Sequence, residues 1–334
     1  MARKRQIPFQ LFKLAEDLGL KAGDDSVASI VAYCDHQVGA LIAEMEDCRS
    51  LTDLLEWVAA KVGTIFEQVG DEAELQRIKD KYLQKGEKAF ANLEKELSDE
   101  VFGVTYRRQN KLAWEPPFVS VIDSREEKAP RTYFTKWHEL AHLLTLTEQR
   151  RLVFRRTHAE YGEQDPEEKL MDIIAGRFGF YGPVFHRFIK AEISFDEIER
   201  LRRELCPDAS VQASLISFTK YWPTPCVHIR AELGFNKTQK QQLQQNHFGF
   251  IDAPEAVLRA AAVSVNEAGR DARFRLFENM RVPESSMVQK IFSERLSYGE
   301  AIEDLAQWTE GESVRVKVKA RFRDEGVEGL ITPV

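Results

Sequence analysis

Cysteine is scarce in this chain. Cys34, Cys48, Cys206 and Cys226 are the only four in 334 residues, and no two form a CxxC pair. That spacing excludes a cysteine-only zinc site and a dithiol redox motif. A chain of this length with so few cysteines has no disulfide framework, so a reducing compartment fits. No apolar run approaches the length of a bilayer span. The basic start, MARKRQIPFQ, leads into no apolar signal core, so a cytoplasmic protein without a membrane partner is expected. Excess positive charge is missing too. The formal charge is −7, which argues against bulk attraction to nucleic acid. The N-terminal helices are acidic or apolar and offer no recognition helix rich in Arg, Lys, Asn or Gln, so direct nucleic-acid binding is not expected. No internal repeat is visible.

What is present suits a soluble globular protein: 43% hydrophobic and 30% charged residues. The length fits two or three domains. Residues 1–98 read as a mainly helical region, because "SVASIVAYCDHQVGALIAEM", "SLTDLLEWVAAKVGTIFEQV" and "DEAELQRIKDKYLQKGEKAFANLEKEL" space their apolar residues as helices do. From residue 99 the pattern changes. "VFGVTYRR" and "PFVSVIDS" are short, rich in β-branched and aromatic residues, and separated by polar residues and proline, which predicts two strands. A helix carrying "WHELAHLL", a polar loop and a helix from about Pro166 follow. Then come two further helices, "FDEIERLRREL" and "SVQASLISFTKYW", and the strand "PCVHIRAEL". The polar stretch "NKTQKQQLQQNHFG" reads as a linker. Beyond it, "DARFRLFENMRV" and "SVRVKVKARFR" alternate with the period of strands. The expected class is α+β: a helical region over 1–98, a zincin-like catalytic core with a small sheet and an active-site helix over 99–235, and an α+β domain over 246–334.

The eight residues Trp137–Leu144 carry the chemistry. His138 and His142 are four apart, which stacks them on one helix face with Cβ atoms about 5–6 Å apart. Their imidazoles can share one ion. Glu139, the next residue, sits roughly 100° around the helix and points beside that ion. From there it can take a proton from an activated water and pass it to a leaving amine. This is the HExxH pattern of zinc peptidases. An ordinary amphipathic helix can contain the pattern by chance. However, Trp137, Leu140, Ala141 and Leu144 form an apolar stripe that should bury the helix, and a metal would satisfy two imidazoles at its edge.

A catalytic zinc takes a third protein ligand. "QDPEEKLMDIIAGRFGF" offers Glu168. Asp165 suits an N-cap and Pro166 the first helical position. Glu168 also falls where a capping-box glutamate belongs, so both roles are open to it. Asp172 shares its face at i, i+4 among apolar neighbours. There it would accept a hydrogen bond from the far nitrogen of a ligand histidine.

"RTYFTKWHELAHLL" followed by "EEKLMDIIAGRFGF" resembles the ImmA/IrrE family of zinc metallopeptidases. Arg131, Phe134, Thr135, His138, Glu139, His142, Glu168 and Asp172 match the family pattern, and the resemblance covers about residues 100–235. Ala141 stands where members usually carry glycine, and Met171-Asp172 where they carry alanine-asparagine. The resemblance implies a gluzincin-like endopeptidase holding one Zn2+ per chain, with Mn2+ as the alternative ion. It implies a protein substrate, a helix-turn-helix transcriptional repressor, and hence a place in stress response and transcription regulation. The rival reading is a regulatory or interaction protein that keeps the metal site without turnover. Glu139 argues against it, because a purely structural site has no use for a base.

Further candidates are less specific. His158 and Tyr161, in the loop "RRTHAEYGEQD", could reach the oxyanion of a tetrahedral intermediate. Arg315, Lys317, Lys319 and Arg321 alternate along one strand face, either solvated or facing an acidic partner.

Overall fold

The computed structural model describes residues 8–21, 25–98, 101–146, 153–157, 165–245, 255–309 and 313–334. The chain divides into two compact units, 1–185 with 202–210, and 186–201 with 211–334. Both mix helices and strands, as an α+β class requires.

The first unit is built on a four-stranded sheet. Its strands are β1 (Thr64–Val69), β2 (Val101–Arg107), β3 (Phe118–Asp123) and β4 (Val153–Thr157), in the order β1-β3-β2-β4. β1 runs parallel to β3, while β2 is antiparallel to both β3 and β4. Alternation sorts the side chains of β2 and β3 between two faces. Val104, Tyr106, Val119 and Val121 join Leu75, Ile78 and Tyr82 of the helix Glu72–Gln84 and Phe90 in one apolar cluster. On the other face, Gly103 and Thr105 come close to Glu139 of the helix Thr132–Leu144.

β1 was not expected. "GTIFEQV" reads as the end of a helix, but that helix stops at Val62 and Gly63 caps it in the left-handed region, φ 79°. A Cβ there would also lie 2.9 Å from the Pro117 ring. Glycine meets both demands. Because β1 pairs with β3, residue 98 is not a domain boundary; the residues before it and the motif-bearing residues after it share one sheet.

One helix, Ser26–Ala43, does reach the length and mean hydropathy of a membrane span, 18 residues at 1.2, contrary to the sequence expectation. It carries Asp35, His36 and Gln37 at its centre, and Asp at such a position opposes insertion by about 2.5–3.5 kcal/mol. Ile30, Cys34 and Val38 lie in the core of the unit, and Arg177 Nε donates to Asp35 at 2.5 Å. Burial pushes the Cys34, Cys206 and Cys226 thiols up to about 12, so these cysteines are packing residues.

The second unit holds a five-stranded antiparallel sheet. Its strands are β5 (Val227–Gly234), β6 (Val257–Val265), β7 (Tyr298–Asp304), β8 (Arg315–Arg323) and β9 (Gly326–Pro333), in the order β6-β5-β9-β8-β7. β5 therefore belongs here and not with the catalytic core to which its sequence position assigned it. "DARFRLFENMRV" is not a strand despite its alternation. Its one bridge is Arg259↔Arg281, flanked by backbone bonds between Leu258–Ala260 and Asn279–Val282, while Phe274, Leu276, Met280 and Val282 join the core cluster of β5 and β6. The linker candidate begins as a helix, Lys237–Gln245, and continues outside the described residues.

The face of this sheet that carries His228 is polar. Arg321 donates twice to Glu328, at 2.9 and 2.7 Å, and stacks its guanidinium 4.2 Å from the Phe195 ring centroid. Lys319 is buried and donates to the Ile193 carbonyl at 3.0 Å. Arg315 is exposed and Lys317 half-buried, 3.7 Å from Glu300. The four cations that alternate along β8 are thus not a single open face, solvated or partner-binding, because Lys319 and Arg321 are engaged inside the unit.

His228 is buried on this face and its Nε2 lacks a hydrogen-bond partner. Burial, then the nearby Arg321 and Arg230 charges, push its pKa down to about 3. Between pH 6.5 and about 3 the unfolded chain binds a proton that the folded chain refuses. Stability should therefore fall as pH drops through that window, by about 1.4 kcal/mol per pH unit at most from this group. Urea unfolding of wild type and His228→Gln at pH 7, 5.5 and 4.5 checks this. The difference between the two proteins should change with pH in that sense, and parallel pH profiles would remove His228 as the cause.

Candidate metal centre

The helix Thr132–Leu144 is buried nearly all round. Trp137, Leu140, Ala141 and Leu144 are packed, as the apolar stripe predicts, and His138, Glu139 and His142 are buried with them. Three buried ionisable side chains within five residues are costly unless each has a partner. The carboxylates that face the two histidines come from the helix Pro166–Gly179, which packs against it, and Glu139 is met from β2.

That second helix starts as its sequence predicts. Asp165 accepts from the Glu167 amide at 2.8 Å and Pro166 fills the first turn. Glu168 is turned instead toward the histidines. Its end is closed by a tight helix–helix approach: the Tyr133 hydroxyl donates to the Gly179 carbonyl at 2.6 Å, and a Cβ at Gly179 would lie 3.2 Å from the Trp137 ring. The close contact falls at Gly179. At Gly176 a Cβ would meet only Phe134 at 3.9 Å. Ile173 is exposed.

His138 Nε2 and His142 Nε2 are 3.1 Å apart. Glu168 Oε2 is 3.1 Å from His138 Nε2, and Glu168 Oε1 is 3.5 Å from His142 Nε2. The three ligand atoms lie within 4.8 Å of one another and form a group that could hold a metal ion. Asp172 Oδ1 lies 2.9 Å from His138 Nδ1, on the far side of the ring. A carboxylate only accepts, so Asp172 places the proton on Nδ1 and turns the Nε2 lone pair inward. That lone pair then faces Glu168, which is also an acceptor. A cation between them resolves the clash, and two imidazoles with one carboxylate are a donor set that suits zinc. Glu168 and Asp172 are partly exposed, at 26% and 29% of their side chains, so the group opens to solvent on the carboxylate side.

Glu139 projects from the same helix toward the sheet. Thr105 Oγ1 donates to its Oε2 at 2.7 Å. A Cβ at Gly103 would come within 3.1 Å of Glu139 Oε1 and 2.8 Å of Thr135 Cγ2. Only glycine lets the carboxylate lie against β2. Neither Thr105 nor Gly103 stood out in the sequence. The available signal was a glycine and a threonine at alternate positions inside an otherwise apolar strand.

Of the remaining candidates, His158 and Tyr161 lie outside the described residues. Arg131 stacks its guanidinium 4.7 Å from the Phe102 ring centroid, just ahead of the helix Thr132–Leu144. No protein-family model matches this chain, and no curated protein is significantly similar to it.

The Asp172 contact has a measurable consequence. Asp172→Ala should weaken metal affinity by about 10–100-fold while the protein stays folded. Competition with a chromogenic chelator measures this, and an affinity equal to wild type would remove Asp172 from the ligand-orienting role.

Proposed function

We propose that this protein is a metal-dependent endopeptidase. In this reading His138, His142 and Glu168 bind the ion, taken to be Zn2+, Asp172 orients His138, and Glu139 is the general base and acid. The observation that carries the reading is a buried carboxylate, Glu139, one residue from a histidine whose Nε2 meets the His142 Nε2 and the Glu168 carboxylate around a common centre. A site that only held the fold together would gain nothing from that carboxylate.

When bound, the ion supplies Lewis acidity that polarises the scissile carbonyl and acidifies a water. Glu139 accepts one proton from that water as its oxygen attacks the carbonyl carbon. The same carboxyl then delivers the proton to the amide nitrogen as the C–N bond breaks, leaving a carboxylic acid and an amine, which become carboxylate and ammonium when the acid's proton passes to the amine. Buried among apolar side chains, Glu139 keeps one orientation through both transfers. The resemblance of residues 100–235 to the ImmA/IrrE family supports a helix-turn-helix repressor as the substrate class.

The test uses the full chain, loaded with one equivalent of zinc and incubated with a proteome-derived peptide library read by mass spectrometry. New termini should accumulate, stop on chelation with 1,10-phenanthroline and return when zinc is restored. A zinc-loaded protein that generates no new termini would favour the non-catalytic reading.

A further inference from the structure

Three hydroxyl side chains lie in a row beneath Glu139, each from a different strand of the first sheet. Thr105 of β2 donates to Glu139 Oε2 at 2.7 Å. Ser120 Oγ of β3 is 2.7 Å from Thr105 Oγ1, and Thr64 Oγ1, at the start of β1, is 3.1 Å from Ser120 Oγ. All three residues are buried. Such positions, on a sheet face under a packed helix, ordinarily suit valine or isoleucine. A buried hydroxyl without a partner costs about 1–3 kcal/mol. The row is tolerated because its members bond to one another and end on a carboxylate.

The end point fixes the direction of the row. A carboxylate has no proton to give, so the Thr105 proton is committed to Glu139. Thr105 Oγ1 must then accept, and Ser120 is the hydroxyl beside it. Ser120 in turn accepts from Thr64, whose longer alternative is the Ile65 carbonyl at 3.4 Å. Bonds aligned head to tail in a low-dielectric interior polarise one another. The row holds the carboxylate at Oε2, and Gly103 leaves room for Oε1 beside β2.

We propose that Thr105, Ser120 and Thr64 are positioning residues, a hydroxyl chain across three strands that clamps Oε2 of Glu139 and so fixes the orientation of its carboxylate. The catalytic half of this statement rests on the peptidase reading; the clamp itself does not.

Two readouts test it on zinc-loaded full-length protein. The infrared difference between wild type and Glu139→Gln isolates the Glu139 carboxylate bands. Thr105→Val, which keeps the shape and removes the hydroxyl, should shift those bands, and Thr105→Ser should restore them. On a peptide identified from the library, Thr105→Val should lower kcat by about 10–100-fold with KM nearly unchanged, and Thr105→Ser should recover most of the loss. Ser120→Ala should move both readouts in the same sense by less, and it takes the place of Thr105→Val if that variant does not fold. Bands that stay put in a folded Thr105→Val protein overturn the clamp. Shifted bands with an unchanged kcat overturn its catalytic role. Shifted bands in a wild type that cuts no peptide support the clamp and count against the peptidase reading instead.

Discussion

Glu139→Gln should give a folded, zinc-loaded protein whose peptide cleavage falls by about 10²–10⁴-fold, the usual contribution of a positioned base. The substitution keeps the length of the side chain, and its carbonyl oxygen can still accept from Thr105. What it removes is basicity. No metal ligand is touched, so zinc content and melting temperature should stay close to those of wild type. Bound substrate should persist on the variant, which makes it a trap for the protein that is normally cut. Parallel measurement of zinc content, melting temperature and library cleavage separates this result from simple unfolding. If the loaded variant cuts as fast as wild type, Glu139 is not the base and the proposed mechanism fails.

The second large effect concerns the ion. Wild type should bind one divalent ion per chain, because one two-histidine, one-carboxylate group is present among the described residues. His138→Ala with His142→Ala should bind none. Zinc at a hundred times its dissociation constant should stabilise wild type by about 2.7 kcal/mol, a shift that melting with and without metal would reveal. The double variant should show no such shift. It should also melt lower than apo wild type, since truncating two buried rings leaves cavities in the packing of this helix. Elemental analysis giving the same metal content in variant and wild type would place the ion elsewhere.

The centre was legible in the sequence because its parts are local. A spacing of four on a helix fixes His138 against His142, and Glu168 and Asp172 obey the same rule one helix later. Which role Glu168 took was decided by packing. The Asp165 side chain caps the first turn itself, which leaves Glu168 to face the histidines. What could not be read was everything that depends on contacts distant in the chain. β1 continues an apolar pattern that fits a helix, and only Gly63 hints at a stop. Thr64, Ser120 and Thr105 are ordinary strand residues until three strands align them. "DARFRLFENMRV" shows the opposite failure. Its alternation is real, but its apolar side chains fill the core from an irregular segment with no strand neighbour beyond a single bridge. The basic strand β8 was read correctly as a strand, yet burial of Lys319 and pairing of Arg321 depend on Ile193 and Glu328, which no local pattern reveals.

The parallel pairing of β1 with β3 decides where the polypeptide can be cut. Its composition invites trimming at residue 98, ahead of the motif-bearing region. A fragment starting there would keep His138, Glu139, His142 and Glu168. It would lose the neighbour that covers β3, exposing the backbone amides and carbonyls of an apolar strand from Phe118 to Asp123. Uncovered strands of that kind recruit other chains, so the trimmed protein would tend toward insoluble assemblies. Thr64 would leave with the discarded segment, so the end of the hydroxyl row would go too. The N-terminal stretch is therefore part of the structure that holds the base, and an intact HExxH motif does not by itself mark out a separable catalytic module.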